Sequence, residues 1–385
     1  MKNKNKDRGI TLVALVITII ILLILATISI QSLTNTGLFS KAQEAKEKTK
    51  NATENQAKTL NEYEDELNKY ISGDIKTPVK KVADNIDSVL STTENTELED
   101  AYGNKIVVPA GFKIVSNDTT NNAQTVDKGI VIEDATIDSE GKVTATNGSQ
   151  FVWVPVGKIY TDEKSTDTNK KIITLGRYDF DETTGIESAY SGSYIEEDVN
   201  DASTLTNFEN KAIAKNITNF KNSVTTNGGY YIGRYEARKS SGGTITEIRT
   251  DTVWNNITQL NAVTKSQNMY NNNKFTSDLM NSYAWDTTIT FIQKCTNKTN
   301  YANQASLNDS LLQTGTTSDK QCNIYDMASN VVEWTTETYN SSDYPCVSRG
   351  GEYYDSNYYT SSRGGNATSI IRDYYGFRPI LYINV

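Results

Sequence analysis

The chain holds no histidine in 385 residues. Neither a Ser-His-Asp nor a Cys-His arrangement can therefore be built, and the usual zinc ligand sets lose their imidazoles. The three cysteines, Cys295, Cys322 and Cys346, stand at no metal-ligand spacing. Outside a reducing compartment an odd count permits at most one internal disulfide, and the pairing stays open. What the chain has instead is tyrosine, 23 against 9 phenylalanines. Six of these, Tyr353, Tyr354, Tyr358, Tyr359, Tyr374 and Tyr375, fall between Gly351 and Gly376, interleaved with Asp355, Ser356, Asn357, Ile370, Ile371 and Asp373. Tyrosine gives large amphipathic contact area at low entropic cost, while Ser, Asn and Asp adapt their hydrogen bonds. That chemistry is binding rather than reaction. The span repeats at neither 2 nor 3.6 residues, which predicts loops. A net charge of -9 with no basic cluster argues against nucleic acid as a partner.

Elements able to position such loops can be read along the chain. Short apolar runs at Lys105–Val108, Phe112–Val115, Gly129–Ile132 and Phe151–Val156 predict strands, and Gly228–Ala237 predicts another entered through a glycine turn. Residues 275–293 read as an amphipathic helix carrying Leu279, Met280, Tyr283 and Ile292, and residues 161–204 as an insertion or long loop. The sum is an α+β domain over 105–385, whose C-terminal region of interest is about 340–380. Before it, residues 73–104 are polar and predict a linker. Residues 31–72 predict a stalk helix, with an apolar stripe at Leu60, Tyr63, Leu67 and Tyr70. Residues 10–30 carry no charge, enough helix to span about 30 Å of hydrocarbon. Lys2, Lys4, Lys6 and Arg8 precede that run, so the positive-inside rule puts residues 1–9 inside and everything after it outside the cell. The expectation is a membrane-anchored protein with its C-terminal domain extracellular, on a bacterial cell surface.

The charged leader ending at Gly9 and followed at once by an apolar helix resembles the type IV prepilin signal. That resemblance implies cleavage by a prepilin peptidase between Gly9 and Ile10, and pilin-like subunits as partners. The family's filament formers carry glutamate at the fifth mature position; here it is Ala14, which points to a membrane-held or minor member.

Farther on, Asn323-Ile-Tyr-Asp-Met-Ala-Ser-Asn-Val-Val-Glu-Trp-Thr335, Arg349-Gly350-Gly351 and Gly376-Phe377-Arg378-Pro379 resemble the signature of the formylglycine-generating-enzyme family, an elaborated C-type-lectin-like fold. The oxidising members use a cysteine pair between the last two motifs, and another branch uses histidines; residues 352–375 hold neither. The resemblance therefore implies the fold without the enzyme. It also implies a structural Ca²⁺ site with side chains from Asp326 and Glu333 and carbonyls from Ser329 and Val331, a donor set suited to a hard cation. The alternative is that the two carboxylates only brace the loop. In the same terms Trp334 reads as core and Arg378 as an ion-pair partner.

The tyrosine-rich tail is similar to the variable proteins of diversity-generating retroelements, which use this fold and randomise adenine-containing codons near the C-terminus. Randomising an Asn codon yields Tyr, Ser, Asp, Ile, Thr or Gly, the vocabulary found here. The analogy implies a ligand face formed by Tyr354, Asp355, Ser356, Asn357, Tyr358 and Tyr359 with Ile370, Ile371, Asp373, Tyr374 and Tyr375, for a protein or glycan ligand. Two other readings stand beside it: a structural pilin-like subunit with a decorative head, and a divergent formylglycine-generating-type enzyme.

Overall fold

The computed structural model describes residues 14–23, 46–53, 80–115, 125–137, 143–145, 148–162, 170–196, 211–240, 246–270 and 272–385. The chain divides into two compact units, Met1–Pro78 and Val79–Val385. In the first, residues 14–23 and 46–53 are helical, and Leu15, Ile19 and Leu23 are exposed. Among the described residues no helix is long and apolar enough to cross a membrane. Gly9, Ile10, most of the expected anchor 10–30 and the stripe at Leu60, Tyr63, Leu67 and Tyr70 lie outside the described residues.

The second unit is built on two sheets. Their strands, in chain order, are β1 (Phe112–Ile114), β2 (Val131–Asp134), β3 (Gln150–Pro155), β4 (Tyr194–Ile195), β5 (Gly229–Gly233), β6 (Phe275–Leu279), β7 (Val332–Tyr339), β8 (Cys346–Arg349), β9 (Arg363–Asn366), β10 (Tyr375–Phe377) and β11 (Pro379–Ile383). The larger sheet runs β6-β11-β5-β3-β2-β1, antiparallel throughout. β5 and β11 are buried along their whole length and β3 from its second residue on, as expected of central strands covered on both faces. Three helices supply much of the cover: α1 (Ile217–Asn227), α2 (Gln259–Gln267) and α3 (Ser282–Cys295). α1 lays Phe220 against Tyr230 of β5 and Tyr382 of β11, with ring centroids 5.4 and 5.5 Å apart. Each helix begins at a side chain that caps a free backbone N–H: Asn216 for Asn219, Thr258 for Asn261 and Asn281 for Ala284.

The smaller sheet runs β4-β7-β8-β9, and β10 joins β7 in parallel. It gathers the Glu-Trp, Arg-Gly-Gly and Gly-Phe-Arg motifs: Glu333 faces Arg349 in register on one side of β7 and Gly376 on the other.

Three expectations are corrected. The segment 73–104 is structured from residue 80 onward. Thr96–Glu99 pairs with Lys105–Val108, and Val82 and Leu98 are fully buried. That segment reads as polar because only one side chain of Thr-Glu-Leu-Glu turns inward. The helix expected at 275–293 starts at Ser282, since Asn281 caps it and residues 275–279 form edge strand β6 instead. The long loop 161–204 contains short strands at Lys170–Ile173, Tyr178–Phe180, Glu187–Ala189 and Tyr194–Ile195; the first pairs with Gly157–Tyr160 just upstream, the next two with each other and the last with β7.

Candidate functional site

Beneath the C-terminal loops lies a buried ionic cluster. Arg349 at the end of β8 is fully buried, with Nη2 2.6 Å from Asp286 Oδ1 on α3 and Nη1 3.4 Å from Glu337 Oε2 on β7. Arg363 at the start of β9 reaches the same two acids, through Nη2 to Asp286 and with Nε 3.0 Å from Glu337 Oε1. Arg177 adds a third guanidinium to Glu337, and Arg177 and Arg363 both lie over the Tyr190 ring, at 4.5 and 4.2 Å. Burial works against the Glu337 charge, but Arg349, Arg363 and Arg177 together hold its pKa below the ordinary value. The cluster ties the loop to the core: Arg349 Nε donates to Ser362 O (2.9 Å) and Trp285 Nε1 to Thr360 O (2.8 Å).

The Arg349-Gly350-Gly351 turn needs both glycines. Gly350 has φ +91°, and a Cβ on Gly351 would sit 2.1 Å from Ala328 O. The turn is thereby pressed onto the Met327–Ala328 backbone.

A second buried network holds the expected cation-binding residues. Arg378 donates through Nη2 (2.6 Å) and Nε (3.1 Å) to Glu333, and also to the carbonyls of Gly233 and Tyr325. Asp326 accepts from Gly315 N (2.7 Å) and from the Thr317 hydroxyl. The Val331 N–H is taken by Glu236, which also accepts from Asn330 Nδ2, and the Ser329 hydroxyl accepts from Leu307 N. Neither carboxylate of the expected Ca²⁺ set keeps an oxygen without a donor. Among the described residues no group of three or more acidic, cysteine or histidine side chains stands together to hold a metal ion. In this arrangement Asp326 is held by the Gly315 N–H and the Thr317 hydroxyl, and Glu333 by its ion-pair partner Arg378. Trp334 is core, its indole N–H donating to Ile257 O.

Above these networks sits the tyrosine-rich surface. Asp355 Oδ1 accepts from Asn357 N and Nδ2, and Tyr358 N donates to Asp355 O, which folds 355–358 into a tight turn. Tyr354 stacks on Tyr374 with centroids 5.2 Å apart and planes 8° from parallel, so the loop 352–362 and the segment 367–375 meet in one patch. The stack continues inward through Tyr375 (5.1 Å) to buried Trp334 (4.7 Å). Tyr354 is 72% exposed, while Tyr358 and Tyr359 are 37% and 41% exposed. Ser356, Asn357, Ile371 and Asp373 face solvent, and Asp355 and Tyr374 are half-buried. Ile370 and Tyr375 turn partly inward against the core, and the Tyr375 hydroxyl donates to Asn366 Oδ1 (2.6 Å). Burial and the Asp373 carboxylate push the pKa of the Tyr353 hydroxyl up to about 12.

Two sets of residues escaped the reading of the sequence. Asp286, Glu337, Arg363 and Arg177 carry the ionic cluster. The signal for Glu337 was its place four residues after Glu333 in the same strand; nothing in the sequence ties Asp286 or Arg177 to it. Glu352 is the other. It is 4% exposed beneath the tyrosines, although an acid after Gly-Gly in a polar stretch gives no hint of burial.

Comparison with known proteins bears on the same region. Residues 262–383 match the sulfatase-modifying factor enzyme 1-like domain. The match takes in the Asn323–Thr335, Arg-Gly-Gly and Gly-Phe-Arg-Pro motifs and is shorter than the 105–385 span expected from the sequence. No curated protein matches the chain. Among solved structures, the crystal structure of CarF is similar at 12% identity and a TM-score of 0.32, covering 60% of this chain and 98% of that one. Variable protein 1 of Treponema denticola is similar at 11% identity and a TM-score of 0.30, covering 62% and 98%.

Proposed function

We propose that the protein is a surface-displayed, ligand-binding protein, adhesin- or receptor-like, whose C-terminal tyrosine-rich loops bind a protein or glycan ligand. The observation that carries this reading is the Tyr354–Tyr374 stack, whose Tyr354 ring is more exposed than any other aromatic side chain among the described residues. Rigid aromatic anchors with a polar surround are what binding surfaces concentrate. The sulfatase-modifying factor enzyme 1-like domain without a cysteine pair in 352–375 supports binding over catalysis.

The proposal includes an anchor at residues 10–30, processing between Gly9 and Ile10, and outward display of the head. It also includes diversification of 354–359 and 370–375 by a retroelement. The last part predicts a near-repeat of codons 340–380 beside a reverse-transcriptase gene, with mismatches at template adenines; a flank lacking any such repeat would remove it. Binding itself is tested by screening the full-length chain on glycan and protein arrays beside the Y354A/Y358A/Y359A/Y374A variant. The expected result is a folded variant that has lost the array ligand. Binding that survives all four changes would overturn the reading.

A further inference from the structure

The face offers more than aromatic area, because one buried carboxylate oxygen of Glu352 has no hydrogen-bond partner. Glu352 follows the Gly350-Gly351 turn directly, and that turn holds the residue under the loop. Its Oε2 is buried and accepts no hydrogen bond. The acids Asp355 and Asp373 act on it electrostatically, and its own charge acts on Tyr353, Tyr358 and Tyr375. Neither arginine of 352–375 answers it. Arg363 is held by Asp286 and Glu337, and Arg372 donates through Nη1 to Ile371 O. A buried carboxylate left without a donor is costly, and like charges nearby deepen that cost.

Resting on the reading of these loops as a binding face, we infer that the face takes a lysine or arginine side chain of a protein ligand, with its cationic head on Glu352 and Asp373 and its stem along the Tyr354–Tyr374 pair. Aromatic faces attract such cations, and charge-assisted hydrogen bonds are the strong ones. A neutral glycan offers hydroxyl groups but no positive charge to Glu352. Burial, then Asp355 and Asp373, push the Glu352 carboxyl up to about 7, so an arriving cation displaces a proton there.

The test uses the full-length chain and two fluorescent peptides capped at both ends, Gly-Lys-Lys-Gly and Gly-Arg-Arg-Gly, against twins with acetyl-lysine and citrulline. Anisotropy should show the charged peptides binding roughly 10- to 100-fold more tightly than their twins. E352Q should remove most of that difference while leaving the thermal midpoint unchanged or higher, and D373N should reduce it. Wild-type affinity should be weaker at pH 6 than at pH 8, and in E352Q that change should shrink. Equal binding of charged and neutral peptides overturns the inference, as does binding indifferent to both E352Q and D373N, or no binding of either charged peptide at millimolar concentration. An array ligand lost in the tyrosine variant but indifferent to E352Q would sink this inference and leave the binding face standing. An array ligand indifferent to the tyrosines would sink the binding face itself.

Discussion

The buried ionic cluster and the tyrosine patch meet at the same C-terminal loops, yet they obey opposite rules. Arg349, Asp286 and Glu337 are fully buried, and each charge meets an opposite charge within hydrogen-bonding distance. Tyr354, Tyr358 and Tyr359 keep large parts of their rings in water, and Glu352 keeps an unpaired oxygen. The first region is over-determined: each of its three fully buried members is held by at least two others. The second is held mainly through backbone contacts, Tyr353 N to Asn330 O and Thr360 N to Gln304 O at the loop's base, and Asn256 N to Arg372 O beyond it. Side chains at 354–359 can therefore change without unpairing anything below them. Such a division suits a surface whose contacts vary while its support stays fixed.

Breaking the support should have the largest effect. Arg349→Ala leaves Asp286 and Glu337 short of a counter-charge in the core, and its unfolding free energy should fall by about 3–5 kcal/mol in urea denaturation. A fall below about 1 kcal/mol would mean that the cluster is solvated. Gly351→Ala should be similarly damaging, because its methyl group would sit against Ala328 O.

A smaller effect is expected on the face. Tyr354→Ala and Tyr374→Ala should each cost no more than about 1.5 kcal/mol, the scale of one aromatic pair, while weakening the array ligand. A large stability loss in either would move these rings from the face into the support.

Glu352 gives the comparison a pH dependence. Its carboxyl in the folded chain titrates at about 7, above the ordinary carboxylate value. Between the two the folded state holds more protons than the unfolded state, so stability falls as pH rises through that window. Asp278, at about 7, and Asp319, at about 6, act in the same direction, and with no histidine in the chain no imidazole contributes. The difference between wild type and E352Q isolates one carboxyl: E352Q should show a shallower decline from about pH 5 to about pH 7.5. Parallel curves would place the Glu352 titration elsewhere.

The smallest expected effect concerns metal removal. Glu333 is engaged by Arg378 and Asp326 by Gly315 and Thr317, so EDTA should leave the thermal midpoint unchanged. A fall of several degrees would put a cation back among these residues.

Much of the support was legible because its motifs have local reasons. Arg-Gly-Gly is a turn pressed onto another backbone, and Phe151–Val154 is a run apolar enough to sit mid-sheet. The ionic cluster was not legible, since Asp286, Glu337, Arg349 and Arg363 come from a helix and three strands and no spacing joins them. The strand Thr96–Glu99 was hidden for a related reason: it buries one leucine and shows its other side chains to solvent or the protein margin. Composition marked the tyrosine patch, but not which rings would turn inward. Tyr375 does so because β10 pairs with β7 and carries its ring onto Trp334.

The most direct test of the account is a saturation scan of residues 340–380, sorted first for folded abundance and then for retention of the array ligand. Substitutions at Arg349, Gly350, Gly351, Arg363, Gly376 and Arg378 should lose abundance. Those at Tyr354, Tyr358, Tyr359 and Tyr374 should keep abundance and lose the ligand. If the tyrosine positions fail at the first sort as the arginines and glycines do, or pass both sorts freely, the division into support and binding face is wrong.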